Sequence, residues 1–183
     1  TDEPALLAKA IKLVQSLTDL PICIDSSVIE ALDAGLAVYE GKALVNSMTG
    51  EDERMDAILP LVKKYDAAIL ALPNDELEIP MLAKDRMVIV EKIVRRVEKE
   101  GISLENLLID PLAMPVGADP ENVKNTLETI YQIKEKYGLN MSLGASNVSF
   151  GLPSRHALNA AFMPMAMAMG LTSAIMDCRT PEV

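Results

Sequence analysis

The chain has 183 residues, 50% of them hydrophobic, which is enough to bury a sizeable core and excludes a disordered chain. Aromatic residues make up only 3% and Trp is absent, so helices packed on aliphatic strands are favoured over an all-β sandwich. The net charge of −10 argues against a nucleic-acid backbone as the partner, because that needs a basic stripe, and serves most simply for solubility.

In chain order, PALLAKAIKLVQSL spaces its apolar residues at helical intervals behind Asp2 and Pro4 and predicts a first helix. PICIDSS is a short strand run that stops at Asp25, and VIEALDAGLAVYEGK returns to helical period, closed by Gly41. ALVNSM is the next strand, broken at Asn46. EDERMDAILPLVKKY is a helix with acidic residues in its first turn, where the helix dipole favours them. AAILALPND is a strand ending at Pro73, Asn74 and Asp75. After a loop with Pro80, AKDRMVIVEKIVRRVEKEG forms a helix closed by Gly101, and its charges from Asp85 to Glu100 are assigned to a solvated face.

NLLIDPL is a strand that stops at Asp110 and Pro111. DPENVKNTLETIYQIKEKYG has Asp119 as N-cap, Pro120 at the first helical position and Gly138 at its end. MSLGASN is a further strand, HALNAAFMPMAMAMG a helix and SAIMDC a last strand. Met163, Met165, Met167 and Met169 alternate along that helix and are assigned to adaptable core packing. The stretch from Ala157 to Ile175 contains Asn159, Pro164 and Gly170 and reads as a buried helix leading to a strand, with no membrane span. Cys23 and Cys178 lie far apart in apolar runs, with no CxxC and one His, His156. A disulfide framework and a metal site are therefore not expected, and a reducing cytoplasm fits. The first residue is Thr, which fits a segment of a larger protein.

Six nearly continuous apolar runs alternating with helices are expected of parallel strands buried on both faces. The pattern fits one domain, either a (β/α)₈ barrel or an open doubly wound sheet. A full barrel usually takes about 250 residues, so six strands would be an incomplete one, whereas an open sheet would be complete.

The strands end on Asp25, Asn46, Asn74, Asp110, Asn147 and Asp177. Each singly is explained by turns and caps, but in parallel α/β folds the carboxyl ends of the strands face the ligand site. Carboxylates and amides without a metal-binding cluster suit a flat heterocycle carrying both hydrogen-bond donors and acceptors. Ser26, Ser27, Ser146 and Ser149 have no His partner other than His156, so a nucleophilic triad is not expected, and His156 itself reads as a surface or capping residue. GASNVSFG lacks the GK[ST] of a P-loop and reads as a plain βα loop.

At ICIDSS, LVNS, LLIDPL and LGASNVSFGLPSR…AFMPMAMAMGL…AIMD the sequence resembles the pterin-binding methyltransferase family. Within it, the likeness is to the methyltetrahydrofolate:corrinoid/iron-sulfur protein methyltransferases and the folate domain of cobalamin-dependent methionine synthase. The resemblance runs from about Pro21 to Cys178 and keeps the order of the motifs. It implies a (β/α)₈ TIM barrel, usually dimeric. Residues 1–183 would then form a single pterin-binding barrel domain holding strands three to eight, without the first two strands and the last helix.

Asp25, Asn46 and Asp110 are implied as pterin anchors, with Asp110 accepting the N–H groups of the pyrimidine edge. Asn147 matches the Asn that reaches N5, the atom bearing the methyl group, and Asp110 shares the catalytic assignment. Gly144, Arg155 and Ile175 are implied beside the ligand. Pro73 departs from the family's usual Thr or Asp. The implied reaction transfers the N5 methyl group of 5-methyltetrahydrofolate to the cobalt of a cobalamin or corrinoid carried by a partner. That partner is a corrinoid iron-sulfur protein or a cobalamin-binding domain. A dihydropteroate-synthase-like condensation ranks below it, because AIMDCRT has Arg179 but no Arg-x-His pyrophosphate motif. A truncated, non-catalytic barrel is the third reading.

Overall fold

The computed structural model describes residues 2–76 and 79–180, and in it every anticipated strand and helix is present. The order is α1 (Glu3–Gln15), β1 (Cys23–Asp25), α2 (Ile29–Val38), β2 (Leu44–Thr49), α3 (Asp52–Lys64), β3 (Ala68–Leu72) and α4 (Ala83–Lys99), then β4 (Leu107–Ile109), α5 (Glu121–Tyr137), β5 (Asn140–Gly144), α6 (Arg155–Met169) and β6 (Ser173–Ile175). Short 3₁₀ turns precede β4 at Leu104–Asn106 and follow β5 at Ala145–Ser149.

Local chemistry sets the helix ends. Asp2 caps α1 by accepting the Ala5 N–H at 3.1 Å, with Pro in the first turn. Asp119 accepts the Glu121 N–H at 2.9 Å, although α5 itself begins one residue past Pro120. Gly138 ends α5 in the left-handed conformation, which lacks a steric penalty for glycine. α2 stops at Val38, before Gly41, because the chain turns extended at Tyr39.

All neighbouring strands are parallel, in the spatial order β1-β2-β3-β4-β5-β6. A doubly wound sheet reverses its order at a switch point; this one does not. One core cluster joins Ile11, Leu32, Ile58, Val90, Ile130 and Phe162, one from each helix, to Ile24, Val45, Ile69, Leu107, Ile109, Met141 and Leu143 of the strands. All six helices therefore cover one face of the sheet, as in a barrel wall, and the (β/α) barrel reading holds for the part of the barrel present. Each fully buried aliphatic side chain in that layer contributes about 1.5–3 kcal/mol.

The opposite, inner face is less covered than continuous apolar runs suggest. Cys23 and Asp25 are exposed on β1, as are Ser173 and Ile175 on β6, the two edge strands. Cys23 and Cys178 are both exposed, although partial burial still pushes the Cys23 thiol up. Of the Met series, Met163 packs against the core as expected, whereas Met165, Met167 and Met169 are exposed, and only Asn159, Phe162 and Ala166 of α6 are buried. Alternation along a helix carried those side chains away from the buried stripe. Among the described residues, no helix is long and apolar enough to cross a membrane.

Candidate functional site

Period-two alternation decides which strand-end residues reach the inner face. Ile24, Val45 and Ile109 point into the helix-covered core, so their successors Asp25, Asn46 and Asp110 lie on the other side. Asp25 and Asn46 are register partners, and the Asn46 amide donates to the Asp25 carboxylate at 3.1 Å. Just beyond Asn46 the pairing of β2 with β3 slips, with Met48 opposite Ala71, so an extra residue bulges at the strand end. Asp25 is exposed and Asn46 half-buried, leaving the carboxylate open to a further donor.

Asp110 continues β4, its N–H donating to the Ala71 carbonyl at 2.9 Å. Its carboxylate accepts the Leu112 N–H at 2.8 Å, and the Gly144 N–H also favours its charged form. Burial pushes its carboxyl up to about 6, opposed by those two N–H groups and by the positive charge of Arg86. At neutral pH it is therefore an anion held close to its protonation point. Such a group can accept paired N–H donors or hold a proton.

Asn147 lies in the turn Ala145–Ser149, exposed. Its amide folds back over Gly144: a Cβ placed there would meet the Asn147 Nδ2 at 3.0 Å. Glycine at 144 thus makes room for this amide. Arg155, the first residue of α6, reaches back to the same turn, donating from Nη2 to the Ser146 carbonyl at 2.7 Å and from Nε to the Ser149 hydroxyl at 3.1 Å. Its guanidinium stands 5.8 Å from the Phe150 ring centroid. The structure accordingly ties Arg155 to the residues on either side of Asn147. Ile175 is exposed at the end of β6, paired with Gly144.

The remaining strand ends are engaged locally. The Asn74 carbonyl accepts the Gly50 N–H at 2.8 Å and so pins the β2 and β3 ends together. Asp177 is bound by Arg179 through Nε and Nη2, both at 2.9 Å, which keeps its carboxyl below the usual range. A cavity of about 130 Å³ beside β6 is lined by Ser146, His156, Asn159 and Asp177. A larger groove of about 550 Å³ lies between α3 and α4, where Lys92 pairs with Asp52 and Arg96 with Asp56.

Arg86 was assigned to the solvated face of its helix, and the structure buries it completely. The signal was in the spacing, since residue 86 falls three after Ala83 and four before Val90, on the same buried stripe.

The profile of the family described as "Pterin binding enzyme" matches residues 2–177. The chain is 33% identical over 168 residues to a methylcorrinoid:tetrahydrofolate methyltransferase of Eubacterium limosum, covering 90% of this chain and 62% of that protein. It is 32% identical over 181 residues to a methionine synthase of Mycobacterium tuberculosis, covering 92% of this chain but 15% of that protein. Among solved structures, a dihydropteroate synthase of Xanthomonas albilineans superposes with a TM-score of 0.69 at 20% identity, over 93% of this chain and 65% of that one. A dihydropteroate synthase of Coxiella burnetii does so at 0.66 and 19%, over 92% of this chain and 65% of that one. These structural likenesses concern the fold.

Proposed function

The chain belongs to the pterin binding enzyme family, and we propose that it contributes strands three to eight of a barrel that transfers a methyl group between folate N5 and a corrinoid cobalt. The observation that carries this reading is the acceptor-rich inner face, where Asp25, Asn46 and Asp110 end their strands beside the exposed Asn147 amide. A pterin pyrimidine edge presents N–H donors, which Asp110 and Asp25 can accept, while Asn46 both donates and accepts.

In the forward direction the N5–CH₃ bond breaks and a Co–CH₃ bond forms. The cob(I)alamin electron pair goes to carbon, and N5 keeps the pair of the broken bond and takes a proton. N5 is a poor leaving group, so a hydrogen bond that strengthens as charge develops there lowers the barrier. Asn147 is the residue assigned to it. The name of the Eubacterium limosum relative runs the transfer from methylcorrinoid to tetrahydrofolate; by microscopic reversibility the same bond serves that direction. The partner is read as a corrinoid protein or cobalamin-binding domain, and the oligomer as a homodimer.

The test is methyl transfer between 5-methyltetrahydrofolate and free cobalamin, run in both directions, with wild type and Asn147→Ala. The reading expects a rate loss of roughly 10–1,000-fold in the variant, against a much smaller change in pterin affinity. Equal losses in rate and affinity would remove the transition-state role.

A further inference from the structure

Arg86 is the one cation among the described residues with no exposed surface. A buried charge is costly unless it is paired and hydrogen-bonded. Its Nε donates to the Pro80 carbonyl at 2.9 Å, and its Nη1 donates to the carbonyls of Pro111 at 2.8 Å and Leu112 at 2.9 Å, with the Thr126 hydroxyl at 3.5 Å. Every one of these acceptors is neutral. Nη2 is buried with no hydrogen-bond partner among the described residues. The opposite charge that acts on the guanidinium is the Asp110 carboxylate.

The turn that Arg86 grips is the one that aims Asp110. Leu112 has φ +60, a left-handed conformation uncommon for a residue with a Cβ. In that conformation its N–H returns to the Asp110 carboxylate at 2.8 Å, while its carbonyl takes Arg86 and the Thr126 hydroxyl, the latter at 3.0 Å. Among the described residues, the other elements bring uncharged groups to Asp110 and Arg86: the Ala71 carbonyl from β3, the Gly144 N–H from β5 and the Thr126 hydroxyl from α5.

We propose that Arg86 is a positioning residue for the pterin anchor: its guanidinium fixes the Asp110–Leu112 turn, and its charge keeps the Asp110 carboxylate ionised to accept pterin N–H donors. This rests on the pterin reading of the site. Burial and Arg86 act on the carboxyl in opposite directions, so removing the cation leaves burial to win.

The experiment is an NMR titration of the Asp110 carboxyl in the free full chain, assigned with Asp110→Asn, together with 5-methyltetrahydrofolate affinity against pH. Both are measured for wild type, Arg86→Lys and Arg86→Met. In Arg86→Met the midpoint rises by roughly one to three units. A two-unit rise lowers affinity about tenfold near neutral pH and restores most of it near pH 9. Arg86→Lys keeps the midpoint near the wild-type value. A folded Arg86→Met with an unchanged midpoint, or with affinity lost equally at every pH, overturns the proposal and leaves Arg86 a strut.

Should Arg86→Met not fold, the wild-type Arg86 Nε–H signal decides: it must shift with the Asp110 midpoint, and a flat trace overturns the coupling. The titration needs no ligand. Wild-type protein that shows the coupling but binds no pterin therefore sinks the site reading and leaves the coupling standing.

Discussion

Asp110→Asn should stabilise the fold increasingly as pH rises, while abolishing its use as a pterin anchor. Burial lifts the carboxyl from an ordinary 3.8 to about 6 in the folded chain. Folded protein therefore holds the proton more tightly than unfolded chain, and stability falls as pH rises from about 4 to about 6, the penalty being complete above that. About two pKa units at 1.36 kcal/mol each sets a ceiling of about 3 kcal/mol, reduced because the side chain keeps some access to water.

Asn has nearly the same shape, keeps an oxygen for the Leu112 N–H, and does not titrate. Losing the negative charge beside Arg86 has its own cost, but that guanidinium, itself pushed down to about 10, stays charged across the window. It therefore changes the offset and not the slope. At roughly 2–4 °C per kcal/mol for a chain of this size, the melting temperature of Asp110→Asn minus that of wild type should grow by several degrees between pH 4 and pH 7.5. Differential scanning calorimetry at the two pH values measures it. A gap that stays constant or narrows would refute the buried-carboxylate account of Asp110.

Two further substitutions probe the frame of the site. Gly144→Ala puts a methyl group 3.0 Å from the Asn147 Nδ2 and should displace that amide. Steady-state kinetics should show a rate loss of roughly tenfold or more with a smaller change in KM. Gly50→Ala puts a Cβ 2.4 Å from Ile89 Cγ2 and 3.1 Å from the Asn74 carbonyl. It should cost about 1–3 kcal/mol, seen as a lower urea midpoint with an unchanged m-value.

The element order was legible because helical period and short aliphatic runs separate cleanly here, with Asp, Asn or Gly at most junctions. The site was legible in part for a related reason: a polar residue directly after Ile24, Val45 or Ile109 has only one face left to occupy. The choice between barrel and doubly wound sheet was not. A run such as AILAL is apolar at every position and does not say which face meets helices, whereas the sequential strand order and the single core layer do. The burial of Arg86 is legible from its position on the helical stripe and not from its residue type. The exposed Met side chains of α6 are the converse error, apolar type taken for burial.

The fate of the cations bears on which pterin chemistry the site can perform. Arg86 gives its donors to the carbonyls of residues 80, 111 and 112, and Arg155 to the Ser146 carbonyl and Ser149 hydroxyl. Arg179 is held bidentately by Asp177. Among the described residues, these three guanidinium groups thus bond to the protein's own chain, while Asp25 and Asn147 are exposed. A condensation that expels pyrophosphate needs cations turned toward the leaving group. Releasing Arg155 would free the turn that carries Asn147, whereas the exposed Arg179–Asp177 pair holds that cation only weakly. A neutral ring whose leaving nitrogen needs one hydrogen bond asks for no such release, which supports the proposed methyl transfer at N5 over condensation.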